Sequence, residues 1–168
     1  MENVMSELIY KADKELLAEK GLVFPYLMLK NVNLGKYGKC DLIHFKKPYY
    51  KVELEIDLIS CNRDKISMSS FMDLVTCAKG VHKYVRENHD IDFKINLHII
   101  SKEIDPKSNI VFLPDIFPYI INFYQYKANI DGIYFENLSD FELPDEPLIK
   151  GYPRIKLKSL SEMFKVIK

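Results

Sequence analysis

The sequence predicts an α/β fold, a mixed and mainly antiparallel sheet flanked by helices, and three stretches carry that expectation. Residues Val4 to Lys20 place Met5, Leu8, Ile9, Ala12, Leu16 and Leu17 at the three- and four-residue spacing of an amphipathic helix. Val52 to Leu58 alternates Val52, Leu54, Ile56 and Leu58 with Glu53, Glu55 and Asp57, the two-residue period of a strand. A second amphipathic helix, from Ser70 to about Glu87, sets Phe71, Leu74, Val75, Ala78, Val81 and Val85 on one stripe and leads into another alternating strand, Phe93 to Ser101.

The remaining elements follow from local chemistry. Gly21 is a stop for the first helix. Leu22 to Val32 reads as the first strand, with Pro25 near its start, where a missing N–H costs least. Asn33 to Lys39, with two glycines, is a turn, Cys40 to Phe45 a short second strand, and Tyr49 to Ser60 the third, acid-bearing strand. Ser70 and Asp73 form a capping pair for the helix that follows. Beyond Ser101, Asn109 to Leu113 is a short apolar run stopped by Pro114, and residues 115–143 are aromatic and irregular, with a hairpin signal at Asp131-Gly132. Leu143 to Pro153 holds three prolines and suits an extended surface segment, and Ser159 with Glu162 opens a short terminal helix.

A chain of 168 residues fits a single domain, with a core over 1–101 and an aromatic-rich extension over 102–168. The formal net charge is zero, so bulk attraction to nucleic acid or to an anionic membrane is excluded and any polyanion site must be a local patch. Cys40, Cys61 and Cys77 cannot all pair within one chain and show no zinc spacing, which points to reduced thiols and a cytoplasmic, intracellular setting. No signal-peptide pattern opens the chain and no apolar run approaches the ~20 residues of a membrane span, so no membrane partner is expected.

Glu53, Glu55 and Asp57 share one strand face, with neighbours only ~7 Å apart, and such a row asks for a counter-charge that a divalent cation would supply. The plainer reading is the wet face of a half-exposed strand. The order helix, strand, strand with Asp41, strand with Glu53-Leu54-Glu55-Ile56-Asp57, helix with Lys79, His82 and Lys83, then strand, resembles the core of the PD-(D/E)xK nuclease superfamily, close to Holliday-junction resolvases, VRR-type nucleases and the MmcB-like DNA-repair group. Glu7 on the first helix and Gly38 ahead of Asp41 belong to the same pattern, and the likeness covers residues 1–101.

The resemblance implies a restriction-endonuclease-like αβββαβ core and a metal-dependent DNA endonuclease. Asp41 and Glu55 would hold Mg²⁺ or Mn²⁺, the Ile56 carbonyl would add a ligand, Glu53 or Asp57 would complete the site, and Lys79 or Lys83 would face phosphate. A carboxylate-held Mg²⁺ can stabilise phosphate charge, generate hydroxide and stabilise the leaving alkoxide.

The departure is at Asp57, where the family pattern carries a lysine two residues after the metal-binding acid. A Glu53-x-Glu55 motif, a cation migrated to Lys51, Lys79 or Lys83, and loss of hydrolysis with binding retained all stay open, as does Asp57 as either a second-metal ligand or a solvated strand end. The alternative function is a catalytically inactive nucleic-acid-binding or assembly protein on the same fold. Lys79, His82, Lys83 and Arg86 form either a phosphate-facing row or a solvated helix face, and His44 and His98 read as packed or surface side chains. The aromatics between Phe117 and Phe135 are candidates for base stacking, core or a homodimer interface.

Overall fold

In the computed structural model, the described residues are 3–47, 53–104 and 119–138. Two short helices open the chain. Asn3 caps α1 (Val4–Lys11) by accepting the amide N–H groups of Met5 and Ser6, and Asp13 caps α2 (Lys14–Glu19) through Glu15 and Leu16. The single helix expected over 4–20 is therefore broken at Ala12, whose backbone is extended. An aspartate that satisfies two otherwise orphaned amides makes a new helix start as favourable as continuation.

Leu22 and Phe24 are buried, yet the first strand, β1, runs only from Met28 to Asn33. The preceding arm lies across the sheet rather than in it, because the Tyr26 N–H is spent on the side chain of His44. A tight turn at Gly35–Tyr37 leads to β2 (Lys39–Lys46), followed by β3 (Leu54–Cys61), the long helix α3 (Met68–Asn88) and β4 (Phe93–Ser101). The α3 start precedes the expected Ser70 because Ser67 is the cap, its hydroxyl accepting the Ser70 N–H at 3.0 Å. β5 (Ile120–Asn129) and β6 (Gly132–Asn137) form the hairpin anticipated at Asp131-Gly132.

These strands make one six-stranded mixed sheet in sequential order, β1 to β6. β1–β2, β2–β3 and β5–β6 are antiparallel, while β3–β4 and β4–β5 are parallel. The β3–β4 crossover is α3, whose stripe of Phe71, Leu74, Val75, Ala78, Val81 and Val85 packs on Ile43, Ile56, Leu58, Leu97 and Ile99. The other face is covered by α1, α2 and the arm, with Ile9, Leu17, Leu22 and Phe24 against Leu42, Ile59 and Ile100. β3 and β4 are thus buried on both faces, as central parallel strands usually are. Phe123, Tyr124 and Phe135 of the aromatic segment belong to these cores, not to an open stacking surface.

The expected run at 109–113, the extended segment at 143–153 and the helix from Ser159 lie outside the described residues. Among the described residues no helix is long and apolar enough to cross a membrane.

Gly21 closes α2 against β6. Its φ is 107°, the Phe135 N–H donates to the Lys20 carbonyl at 2.7 Å, and a Cβ at Gly21 would overlap the Phe135 carbonyl oxygen. Gly21→Ala is expected to destabilise by at least ~2 kcal/mol, from left-handed strain plus overpacking, and to lower Tm by about 5 °C or more. Thermal unfolding checks this, and an unchanged Tm would mean that the two backbones do not approach so closely.

Candidate functional site

Glu55 and Asp57 do share a face of β3, as the alternation predicts, but the sheet register decides what each meets. Asp57 lies level with His44 on β2 and Asn96 on β4, and His98 is one pleat further along β4. Its carboxylate is buried and fully engaged: His44 Nδ1 is 2.8 Å from Oδ2, His98 Nε2 is 2.8 Å from Oδ1, and Asn96 Nδ2 donates to Oδ1 at 3.1 Å. Because the Tyr26 N–H donates to His44 Nε2 at 3.0 Å, the proton of His44 sits on Nδ1 and is donated to Asp57. His98 donates from Nε2, and its Nδ1 is buried without a hydrogen-bond partner.

Burial alone would raise the Asp57 pKa. The hydrogen bonds from His44, His98 and Asn96 outweigh it and hold the carboxyl well below the usual carboxylate range. Phe24 closes the cluster, its ring set edge-on to His44 and His98 at centroid distances of 5.3 and 5.1 Å. Tyr26 stacks on His44 at a centroid distance of 6.1 Å. Asp57 is therefore not a solvated strand end, because the Leu22–Tyr26 arm and both neighbouring strands cover it.

Glu55 sits nearer the solvent, level with Lys46 on β2 and Lys94 on β4. Lys46 Nζ is 3.5 Å from its carboxylate, and Asn96 Nδ2 approaches at 3.5 Å. Glu55, Asp57, Lys94 and His98 open on a common cleft of about 390 Å³.

Asp41 is elsewhere. Lys46 is the β2 partner of Glu55, so Asp41 lies five residues, about 17 Å, along the strand from it. Asp41 Oδ2 accepts the Cys61 N–H at 2.9 Å, and the residue lines a separate cleft of about 230 Å³ with Ser60, Asn62 and the α3 residues Ser70 and Asp73. Burial pushes the Asp41 carboxyl up, partly offset by the Cys61 N–H. Continuing the register one step past Leu42–Ile59 puts Ser60, not Glu55, beside Asp41. Asn3 reaches the same corner, donating from Nδ2 to the Cys61 carbonyl.

The other expected site residues are dispersed. Glu53 precedes β3 and is exposed. Ile56 is flanked by strands on both sides, where ladder bonding occupies its carbonyl. Lys79 and Lys83 are exposed on α3, across the sheet from Asp57, and Lys83 lies 3.9 Å from Glu87. Glu7 pairs with Lys30 at 2.7 Å and with Lys11 at 3.4 Å on the surface. Lys51 lies outside the described residues.

The donors present do not fit the Mg²⁺ or Mn²⁺ that the resemblance implies. Asp41 and Glu55 cannot reach one ion, and both Asp57 oxygens are committed to imidazole and amide donors. Among the described residues no three His, Cys, Asp or Glu side chains are grouped so as to hold a metal. His44, Asn96 and His98 were not marked as site residues by the sequence reading. The available signal was phase, since Lys94, Asn96 and His98 repeat on β4 the polar alternation that Glu55 and Asp57 show on β3. No protein-family model matches the chain, and comparison with curated proteins and with solved structures finds no match.

Removing the Asp57 carboxylate leaves two imidazoles and an amide without their shared acceptor, so Asp57→Ala should cost about 3 kcal/mol in urea unfolding at neutral pH. The depressed folded-state pKa stabilises the fold above the unfolded carboxylate value, near pH 4, and that contribution is lost as pH falls through the folded-state pKa. The stability gap between wild type and Asp57→Asn should accordingly narrow below about pH 4. Parallel acid profiles for the two proteins would show that this carboxylate does not link folding to pH.

Proposed function

We propose that this chain is a DNA-binding protein on a restriction-endonuclease-like core that does not carry out metal-dependent hydrolysis. The observation behind this reading is the β2–β3 register. The resemblance calls for an acid on the strand beside Asp41 and a lysine two residues later, and the register puts Ser60 and Asn62 in those places. A hydroxyl and an amide neither hold a hard dication strongly nor supply a positive charge to the attacked phosphate.

Two further features support the reading. Helix, three strands, crossover helix and parallel fourth strand follow one another in the order that the resemblance implies, with the first helix split in two. Lys79, Lys83 and Arg86 project from the exposed side of α3 over two turns, a local cationic row on a chain of zero net charge. Lys and Arg in such a row bind phosphate by charge without reading sequence.

The competing reading is a Mg²⁺-dependent endonuclease, and one set of assays separates the two. Fluorescence anisotropy with duplex and branched DNA should show salt-dependent binding without Mg²⁺. Replacing Lys79, Lys83 and Arg86 together by Ala should flatten the salt slope by about 2–3. Incubation with Mg²⁺ or Mn²⁺ should leave the DNA intact. Nicking that disappears in Asp41→Ala or Glu55→Ala would establish the enzyme instead, and absence of binding to every DNA form would remove both readings.

A further inference from the structure

We propose that residues 139–168 fold back across α3 and seat a helix over 160–167 in the apolar groove between α3 and the β1–β2 edge. The groove arises because one helix cannot cover this sheet. Six strands span about 24 Å, whereas a helix with its side chains is about 10–12 Å across. The face opposite α3 has α1, α2 and the Leu22–Tyr26 arm. On the α3 face the β1–β2 flank is left with a cavity of about 740 Å³ lined by Leu29, Val32, Ile43, Phe45, Tyr84 and Val85. Tyr37 packs on Gly80 at one end, so close that a Cβ there would overlap its ring. Leu29 is 42 % exposed and Tyr84 61 %, so among the described residues the lining stays open to solvent. A contiguous apolar surface of this kind calls for a partner.

The chain that follows β6 has the matching pattern. Ser159 and Glu162 predict a helix start, and Leu160, Met163, Phe164 and Ile167 then fall at i, i+3, i+4 and i+7, the spacing with which a helix anchors in an apolar groove. A helix this short is marginal alone in water and gains its stability from such a surface.

The route supplies a second match. Leu138 packs into the α3-side core, so the chain leaves β6 on the face that carries the groove. Leu160 follows Asn137 by 23 positions, an extended reach of up to ~75 Å, ample for the width of the sheet. The direct path from the β6 edge to the β1 edge crosses α3, where Lys79, Lys83 and Arg86 are exposed. Glu87 lies 3.9 Å from Lys83, while Lys79 and Arg86 have no ion-pair partner among the described residues. The crossing stretch holds Asp140, Glu142, Asp145 and Glu146 and no Lys or Arg before Lys150. Acids laid on those cations compete with phosphate for them.

The docking is independent of DNA; its consequence, that the acids screen α3, rests on the DNA-binding reading. Cys40, Cys61 and Cys77 are buried, so a full chain carrying Tyr84→Cys and Phe164→Cys can be cross-linked selectively. Mild oxidation should join the introduced thiols within one chain, seen as a faster-migrating monomer on a non-reducing gel. Glu19→Cys with Phe164→Cys, on opposite sides of the sheet, should not join. Phe164→Asp should lower Tm by about 4 °C or more, and Val166→Asp, off the stripe, should leave it within about 1 °C. Replacing Asp140→Asn, Glu142→Gln, Asp145→Asn and Glu146→Gln together should tighten DNA binding by about 5-fold or more in the anisotropy assay. No cross-link, or one only between chains as a second copy in the groove would give, overturns the proposal. So does an unchanged Tm in Phe164→Asp. DNA affinity equal to wild type in the neutralised variant overturns the screening of α3. If neither protein binds DNA, the DNA-binding reading fails, and the cross-link and Tm still decide the docking.

Discussion

A buried carboxylate that must stay ionised organises this molecule. Asp57 occupies the middle of a central strand, where an unpaired charge would be prohibitive, and its hydrogen bonds bind three strands together laterally. His44 comes from one side, Asn96 and His98 from the other, and the Leu22–Tyr26 arm is drawn over the top because its amide completes His44. Ladder hydrogen bonds alone tolerate a slip in register, but this cluster does not. A shift of one residue on either neighbour would turn a histidine to the opposite face and strip one carboxylate oxygen of its donors.

The same register divides the acidic side chains into two neighbourhoods with different chemistry. At one end of β3, Asp41 and the Cys61 amide make a corner completed by Asn3, Ser60 and Asn62, with Asp73 and Lys39 also lining it. At the other, Glu55 and Asp57 are each matched by cations or donors from adjacent strands. Neither end has the open, clustered oxygens of a hard-cation cage. The sheet disperses what a linear reading of Asp41 to Asp57 groups together.

What could be read from the sequence was whatever depends on local order. β4 begins and ends at Phe93 and Ser101 as expected because its alternation is unbroken, and the turn at Asp131-Gly132 announces itself through a glycine that adopts positive φ. The apolar stripe of α3 also survives intact, although its cap is Ser67 where Ser70 was the more obvious choice. The broken helix at Ala12 and the late start of β1 escaped, since each is decided by a side chain capturing an amide: Asp13 in one case, His44 in the other. The site was less legible for the same reason. Alternation assigned Glu55 and Asp57 to one face correctly, but whether that face is wet depends on an arm some thirty residues earlier in the chain, and which residue stands beside Asp41 depends on how much chain the β2–β3 connection uses. Neither quantity is local.

The parallel pairing of β3 with β4 has a consequence for the order of assembly. The chain emerges with His44 close ahead of Asp57, but Asn96 follows Asp57 by 39 residues and His98 by 41, with the whole of α3 between them. Until that crossover has been synthesised and docked, the carboxylate has one imidazole and must keep water for its remaining lone pairs. Any sheet formed before the second half arrives would therefore hold this carboxylate hydrated and half-satisfied, and docking of β4 replaces that water and commits the strands to a single alignment.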